Sequence, residues 1–356
     1  MKFKRPVTSH SYEWLFSIWA LMLGLALVAL AACGQQPQLH KLSGPTMGTV
    51  WNVTLAVPAK SNLDQQHLLS GIEDVLQVVN ASMSTYRSDS EISRFNESPP
   101  DQWFSVSAGF YTVLSAAMTV GRQSNGAYDV TVGPLVNLWG FGPTGVVDAP
   151  PTAEAVAEVG RRVGQHYLHV NKERDALSKS GDVYLDFSSI AKGYAVDEIA
   201  RWLSGQGVAD FLVEVGGEMR TSGLSPRGDA WRVAIEQPET GQFDIARSIR
   251  LGDVGVATSG DYRNYFESGG VRYSHSIDPR TGYPVAHELV SVTVIHPSTM
   301  LADAWATALT VLGVNEAWSV AQEQGLAVYL IQREGESYGS RYTQAFAPFL
   351  EEEPVQ

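Results

Sequence analysis

One cysteine, Cys33, is all the sequence offers, so internal disulfides and multi-cysteine metal clusters are excluded. Positive charge is also scarce: 25 Lys and Arg stand against 38 Asp and Glu, a net charge of −13. That balance excludes a protein that tracks the phosphate backbone of nucleic acid. The chain has no G-x-x-x-x-G-K-[ST] phosphate loop, no G-x-S-x-G nucleophile elbow, no internal repeat and no low-complexity tract. Small phosphate-bearing ligands stay open, because backbone N–H groups at a helix start hold phosphate without any basic surplus.

Two further signals fail on context. Gly140-Phe141-Gly142-Pro143-Thr144-Gly145 matches G-x-G-x-x-G literally. A dinucleotide fingerprint must follow a strand and open a helix, and Pro143 with its Pro-rich sequel argues against both. His166 and His169 are spaced like a metal pair on a helix, but the segment HYLHV reads as a strand, which puts them on opposite faces. Surface or structural histidines are the better reading.

What is present is a core-forming composition, 44% hydrophobic over 356 residues, behind an unusual start. Lys2, Lys4 and Arg5 precede an apolar run from Trp14 to Leu30, and Leu30-Ala31-Ala32-Cys33-Gly34 follows. A basic start, an apolar stretch and a small-residue cleavage site make a secretory signal over residues 1–32. The pattern resembles a bacterial lipobox, with Cys33 acylated as the mature N-terminus; an uncleaved anchor helix is the alternative. Removing the signal takes away Lys2, Lys4, Arg5 and Glu13, so the body becomes more acidic and charge does not hold it to anionic lipid. The expected place is a lipid anchor on a bacterial membrane, the inner one by preference, facing the periplasm.

Residues 33–42 read as a tether, polar from Gln35 to Lys41, 43–347 as one catalytic domain and 348–356 as an acidic tail. Thr49 to Ala56 alternates as a first strand, and Leu63 to Ser82 and Ser105 to Ser124 have helical periodicity. Gly140 to Pro151 is a loop, and Thr152 caps a helix to Val163. Val183 to Phe187, Phe211 to Val215, Trp231 to Glu236 and Leu289 to Ile295 read as strands. Helices are expected over Ile190 to Leu203, with Ser188 or Ser189 as N-cap, and over Leu301 to Leu312, started by Ser298 or Thr299 and stopped by Gly313. Mixed elements without strict alternation indicate α+β.

Three segments carry chemistry. On the helix Leu301 to Leu312, Leu301, Trp305, Ala308 and Leu312 form an apolar stripe, and Asp303 and Thr307 share the other side. A carboxylate and a hydroxyl among alanines suit Mg²⁺, which takes few carboxylates and completes its shell with phosphates and water; a solvated helix face is the plainer alternative. Leu185 to Tyr194 (LDFSSIAKGY) puts two serines before a helix start, with Asp186 and Lys192 flanking, which favours an anion or else is an ordinary turn. Tyr273 to Gly282 (YSHSIDPRTG) places His275 ahead of a tight Asp278-Pro279-Arg280 turn. His275 is a candidate general base that Asp278 orients, or simply a partner of Asp278.

Together these segments resemble the FAD:protein FMN transferase family, the ApbE-type flavin transferases. The resemblance runs from Met47 to about Ala347. It also includes GTVW at Gly48, MSTYRSDSEI at Met83, GAYDVTVGPL at Gly126, VEVGGE at Val213, ATSG at Ala257 and ADAWAT at Ala302. It implies an α+β, T-fold-like architecture with an FAD cleft between two subdomains. It implies that FAD and Mg²⁺ are bound, that FMN passes to a Ser or Thr hydroxyl of an acceptor flavoprotein, and that AMP leaves. By position in these motifs, Met47, Tyr86, Ala127, Tyr128, Asp129, Asp186, Lys192 and Ile277 would line the FAD site. Ser189, Asp303 and Thr307 would hold the metal. The position of Lys192 is acidic in some relatives, which leaves its role less defined than that of Asp186. The alternatives are a Mg²⁺-dependent FAD pyrophosphatase giving FMN and AMP, and a non-catalytic flavin-binding lipoprotein.

Overall fold

The computed structural model describes residues 38–58, 63–143, 145, 147, 149–238, 245–260 and 265–351. Cys33, the signal segment and residues 352–356 lie outside them. Among the described residues no helix is long and apolar enough to cross a membrane.

The chain opens with a hairpin of β1 (Gln38–Thr46) and β2 (Thr49–Val57), followed by helices α1 (Gln65–Met83) and α2 (Glu91–Glu97). After β3 (Phe104–Ser105) come α3 (Ala108–Gln123), α4 (Gly133–Leu138) and α5 (Ala153–Gly160). Short strands β4 (Leu168–Asn171) and β5 (Ala176–Lys179) precede α6 (Ala191–Gly205). Strands β6 (Phe211–Val215), β7 (Glu218–Ser222), β8 (Trp231–Glu236), β9 (Ile245–Leu251) and β10 (Gly255–Gly260) follow. Four small strands, β11 (Tyr265–Ser268), β12 (Val271–Ser274), β13 (Ile277–Asp278) and β14 (Tyr283–Pro284), lead to β15 (Leu289–His296). The long helix α7 (Thr299–Glu323) and strands β16 (Ala327–Glu334) and β17 (Ser337–Tyr342) complete the fold.

Eight strands form one antiparallel sheet in the order β1-β2-β6-β7-β10-β15-β16-β17. Period-2 alternation splits its side chains between two cores. Val53, Leu55, Val292, Val294, Val328 and Leu330 face the layer of α1, α3, α6 and α7. Ala56, Ile295, Ala327, Tyr329 and Ile331 join Trp231 and Ile249 of the β8–β9 ribbon and Phe346 on the other side. A third, small cluster holds Leu135, Trp139, Val156 and Ile277, with the rings of Tyr273 and Phe266 stacked beside Trp139.

Three expectations are corrected. The polar stretch expected as a tether is already ordered by Gln38: β1 pairs along its whole length with β2, and its outward polar residues belong to an edge strand. Val183 to Phe187 is no strand; Leu185 exchanges both backbone groups with the Asn96 side-chain amide, at 2.7 and 2.9 Å, in place of a neighbouring chain. Ser188 and Ser189 do not cap α6. Its N-cap is Ile190, which gives no side-chain bond.

Gly313 breaks α7 without ending it. Its φ of 71° interrupts the helix, and helical residues resume to Glu323. The Arg341 guanidinium donates to the Val314 carbonyl beside the break. Upstream, Ser298 is the N-cap as expected, and Asp197 of α6 accepts from Thr299 N, Met300 N and the Ser298 hydroxyl at 3.0, 3.1 and 2.8 Å. This pins the start of α7 to α6.

Candidate active site

The site grows from the crossing of α6 and α7. Gly193, third residue of α6, donates its N–H to Asp303 Oδ2 at 3.0 Å. Only glycine permits the approach: a Cβ there would lie 2.4 Å from the Thr299 carbonyl oxygen and 2.8 Å from Asp303 Cβ. Asp303 is 2% exposed, which removes the solvated-face alternative. Burial pushes its pKa up, while the Lys192 ammonium and the Gly193 N–H pull the other way.

Lys192 points the other way along the same turn, to Glu218 Oε1 at 2.5 Å. Burial pulls the Lys192 pKa down, and the Asp303 and Glu218 carboxylates override it, so the ammonium stays charged. Glu218 rises to about 7, through burial first and against the pull of Lys192. Its Oε2 is buried without a partner among the described residues. Two buried carboxylates share one ammonium, and burial without enough positive charge to offset it raises the pKa of both.

Ser189 and Thr307 add hydroxyls. Ser189 Oγ donates to Tyr128 Oη at 3.0 Å, and Thr307 shares a 3.3 Å hydrogen bond with Ser259 of β10. Burial, with the charges of Asp303, Asp186 and Asp129, keeps the Tyr128 phenol protonated well above its ordinary range, although the Ser189 hydrogen bond opposes this. Tyr128 therefore ties the Gly126 loop, the Asp186 turn and α7 into one electrostatic unit.

The remaining candidates divide. Asp186 sits in a tight turn, accepting from Ser188 N at 2.8 Å and Ser188 Oγ at 2.5 Å, with its Cβ against Gly133. Asp129 is engaged on both oxygens, by Thr131 N and Oγ1 and by Gln165 N, as a turn-capping carboxylate is. Met47 occupies the tip of the β1–β2 hairpin with φ 48°, beside Gly48 with φ 72°. Positive φ at both tip residues is what a type I′ turn demands, and it is a strained state for methionine. Tyr86 is 72% exposed, so it is no core tyrosine, and a ring face is available to stack on a ligand.

Ala127, Tyr128 and Ile277 have buried side chains, so any ligand contact from Ala127 or Ile277 comes from the backbone. Both Asp278 oxygens take hydrogen bonds from Arg280, at 2.9 to 3.2 Å, and Arg280 also reaches Glu316. Asp278 thus has a partner other than His275, whose ring meets Phe141 edge-on at 6.3 Å. Arg280 Cγ lies 3.9 Å from where a Gly126 Cβ would stand, which brings the His275–Arg280 segment over the Gly126 loop. His169 bonds Ser180 at 2.7 Å and His166 packs on Tyr167, as structural histidines do.

A family model described as the ApbE family matches residues 47–330. The chain belongs to the ApbE family. A curated FAD:protein FMN transferase from Vibrio cholerae is 43% identical over 339 residues, covering 95% of this chain and 99% of that protein. One from Haemophilus influenzae is 43% identical over 340 residues, covering 93% and 98%. The solved flavin transferase ApbE from Vibrio cholerae aligns with a TM-score of 0.82 at 42% identity, over 88% of this chain and all of that one. The α+β assignment and the resemblance of the sequence motifs agree with these relatives.

Glu218 was missed as a site residue, although its motif, VEVGGE, is one of those that carry the resemblance. Its partner Lys192 is 26 positions away, and only the β6–β7 turn at Gly216-Gly217 brings the two together.

Proposed function

We propose that this member of the ApbE family transfers FMN from FAD to a Ser or Thr hydroxyl of an acceptor protein and releases AMP. The observation that carries the reading is the buried Asp303 carboxylate, held by the Gly193 N–H beside Lys192 and Glu218. A protein that only bound flavin would have no use for a buried carboxylate beside an ammonium and hydroxyls.

The donor set fits magnesium. Among the described residues no group of three His, Cys, Asp or Glu is placed to hold a metal, so soft or imidazole-rich coordination is not built here. Asp303, with the hydroxyls of Ser189 and Thr307, offers hard oxygen ligands to a cation that leaves positions for phosphate and water. When bound there, Mg²⁺ neutralises charge on the pyrophosphate.

The chain's own groups position the rest. Lys192 offers its ammonium to the pyrophosphate, and Tyr86 a ring face to the flavin or adenine. The acceptor hydroxyl oxygen forms a bond to the FMN phosphorus as the bond from that phosphorus to the bridging oxygen breaks. The electron pair leaves with AMP, and the hydroxyl proton goes to His275. General-base removal of such a proton contributes roughly 10²–10⁴-fold.

The lipobox reading completes the proposal: Cys33 is acylated and anchors the body outside the cytoplasm, against a membrane-associated flavoprotein subunit or a secreted flavin-carrying domain. Product analysis tests the function. With FAD and Mg²⁺, AMP appears in step with FMN covalently held by the acceptor. Equal release of free FMN and AMP without acceptor would instead establish the pyrophosphatase. Incorporation of labelled fatty acid, abolished in Cys33→Ser, tests the anchor.

A further inference from the structure

Lys192 stands between two buried carboxylates. Its neighbour Gly193 holds Asp303 Oδ2, while its own ammonium is drawn to Glu218 Oε1. An ammonium that paired with Asp303 would cancel the charge a divalent cation needs, and in a dry pocket that cancellation is strong. Lys192 is the residue next to Gly193, whose N–H holds Asp303, so the ammonium and the carboxylate belong to the same crossing of α6 and α7.

The structure prevents it from the β7 side. Glu218 is the first residue of β7, directly after the Gly216-Gly217 turn, and its side chain is 6% exposed. The Lys192 stem passes Gly216, where a Cβ would stand 3.3 Å from Lys192 Cδ and where φ is 59°. The missing side chain leaves the stem room to lie against the turn and reach Glu218. The second oxygen, Oε2, is buried with no partner among the described residues, so Glu218 is not a saturated structural acid.

We propose that Glu218 is a positioning residue that holds the Lys192 ammonium away from Asp303, leaving the Asp303 carboxylate free for the metal. This rests on the magnesium reading above. It concerns occupancy of the site before any chemistry, so it is testable without turnover.

The test uses Mn²⁺ as the probe, counted by loss of the free-ion electron paramagnetic resonance signal, with saturating FAD and no acceptor. Four proteins are compared: the parent, Glu218→Gln, Lys192→Met and the double variant. Partners behind a metal ligand typically carry about 10–100-fold in metal affinity, so Glu218→Gln is expected to weaken Mn²⁺ binding at least tenfold. Lys192→Met is expected to bind at least as tightly as the parent, because the competitor is gone. The double variant is expected to recover what Glu218→Gln loses, which a merely structural glutamate would not allow.

Parent-like binding in Glu218→Gln, or an equal loss in the double variant, would overturn the proposal while leaving the metal site standing. Should Glu218→Gln fail to fold, Lys192→Met decides alone: a tenfold loss of Mn²⁺ binding overturns the proposal, and unchanged or tighter binding supports it. A parent that binds no Mn²⁺ would overturn the magnesium reading itself, and the proposal with it.

Discussion

The backbone N–H of Gly193 donates to Asp303 Oδ2 at 3.0 Å, so the first turn of α6 fixes the one buried carboxylate of α7. Contact this close requires glycine. In Gly193→Ala the new methyl meets the Thr299 carbonyl and Asp303 Cβ at 2.4 and 2.8 Å, so α6 and α7 must separate. Overpacking of this kind costs about 1–3 kcal/mol. A melting temperature lowered by several degrees, together with weakened metal-dependent activity, is expected. An unchanged melting curve would show that the helices can yield.

Asp303→Ala removes the carboxylate and leaves Lys192 with Glu218 alone. Mg²⁺-dependent turnover is expected to vanish at every Mg²⁺ concentration, measured as AMP release with acceptor present. Full activity in that variant would sink the assignment of the metal site.

His275→Ala is expected to slow transfer by roughly 10²–10⁴-fold, the usual worth of a general base. A rate within a few-fold of the parent across pH would mean that another group takes the proton.

His296 gives a pH effect on stability that is independent of the site. Burial lowers its pKa below the ordinary 6.5, and the Ser298 backbone and Asp197 act against that; its Nδ1 lies 3.0 Å from the Ser298 N and 3.2 Å from the Ser298 carbonyl oxygen. Because the folded state disfavours the proton, the stability it contributes is complete above pH 6.5 and declines as pH falls through the lower folded value. The drop in melting temperature between pH 7.5 and 5.5 should shrink in His296→Gln. An equal drop in both proteins would assign the acid sensitivity elsewhere.

Helices with clear periodicity and side-chain caps were legible: Thr152 caps α5 and Ser298 caps α7 as their residue types predict. The strand reading of Val183 to Phe187 failed because Asn96, distant in sequence, supplies the bonds a neighbouring strand would give. β1 was hidden because an edge strand keeps polar residues outward and resembles a linker. Asp303 and Thr307 were legible from helical spacing, and the burial of Asp303 was not, since it depends on α6 and β10 packing against α7. The Arg280 fork on Asp278 was within reach of a local reading, for the two residues are two apart. Glu218 was not, because its role exists only across the turn that carries it back to Lys192.

Covalent transfer is read from the mass of the acceptor. The soluble body from Gly34 onward is mixed with FAD, Mg²⁺ and an acceptor domain carrying a candidate hydroxyl, and intact masses are recorded. A gain equal to one FMN residue on a Ser or Thr is expected, absent without Mg²⁺ and absent in Asp303→Ala. An unmodified acceptor with FAD fully converted to free FMN and AMP would contradict it.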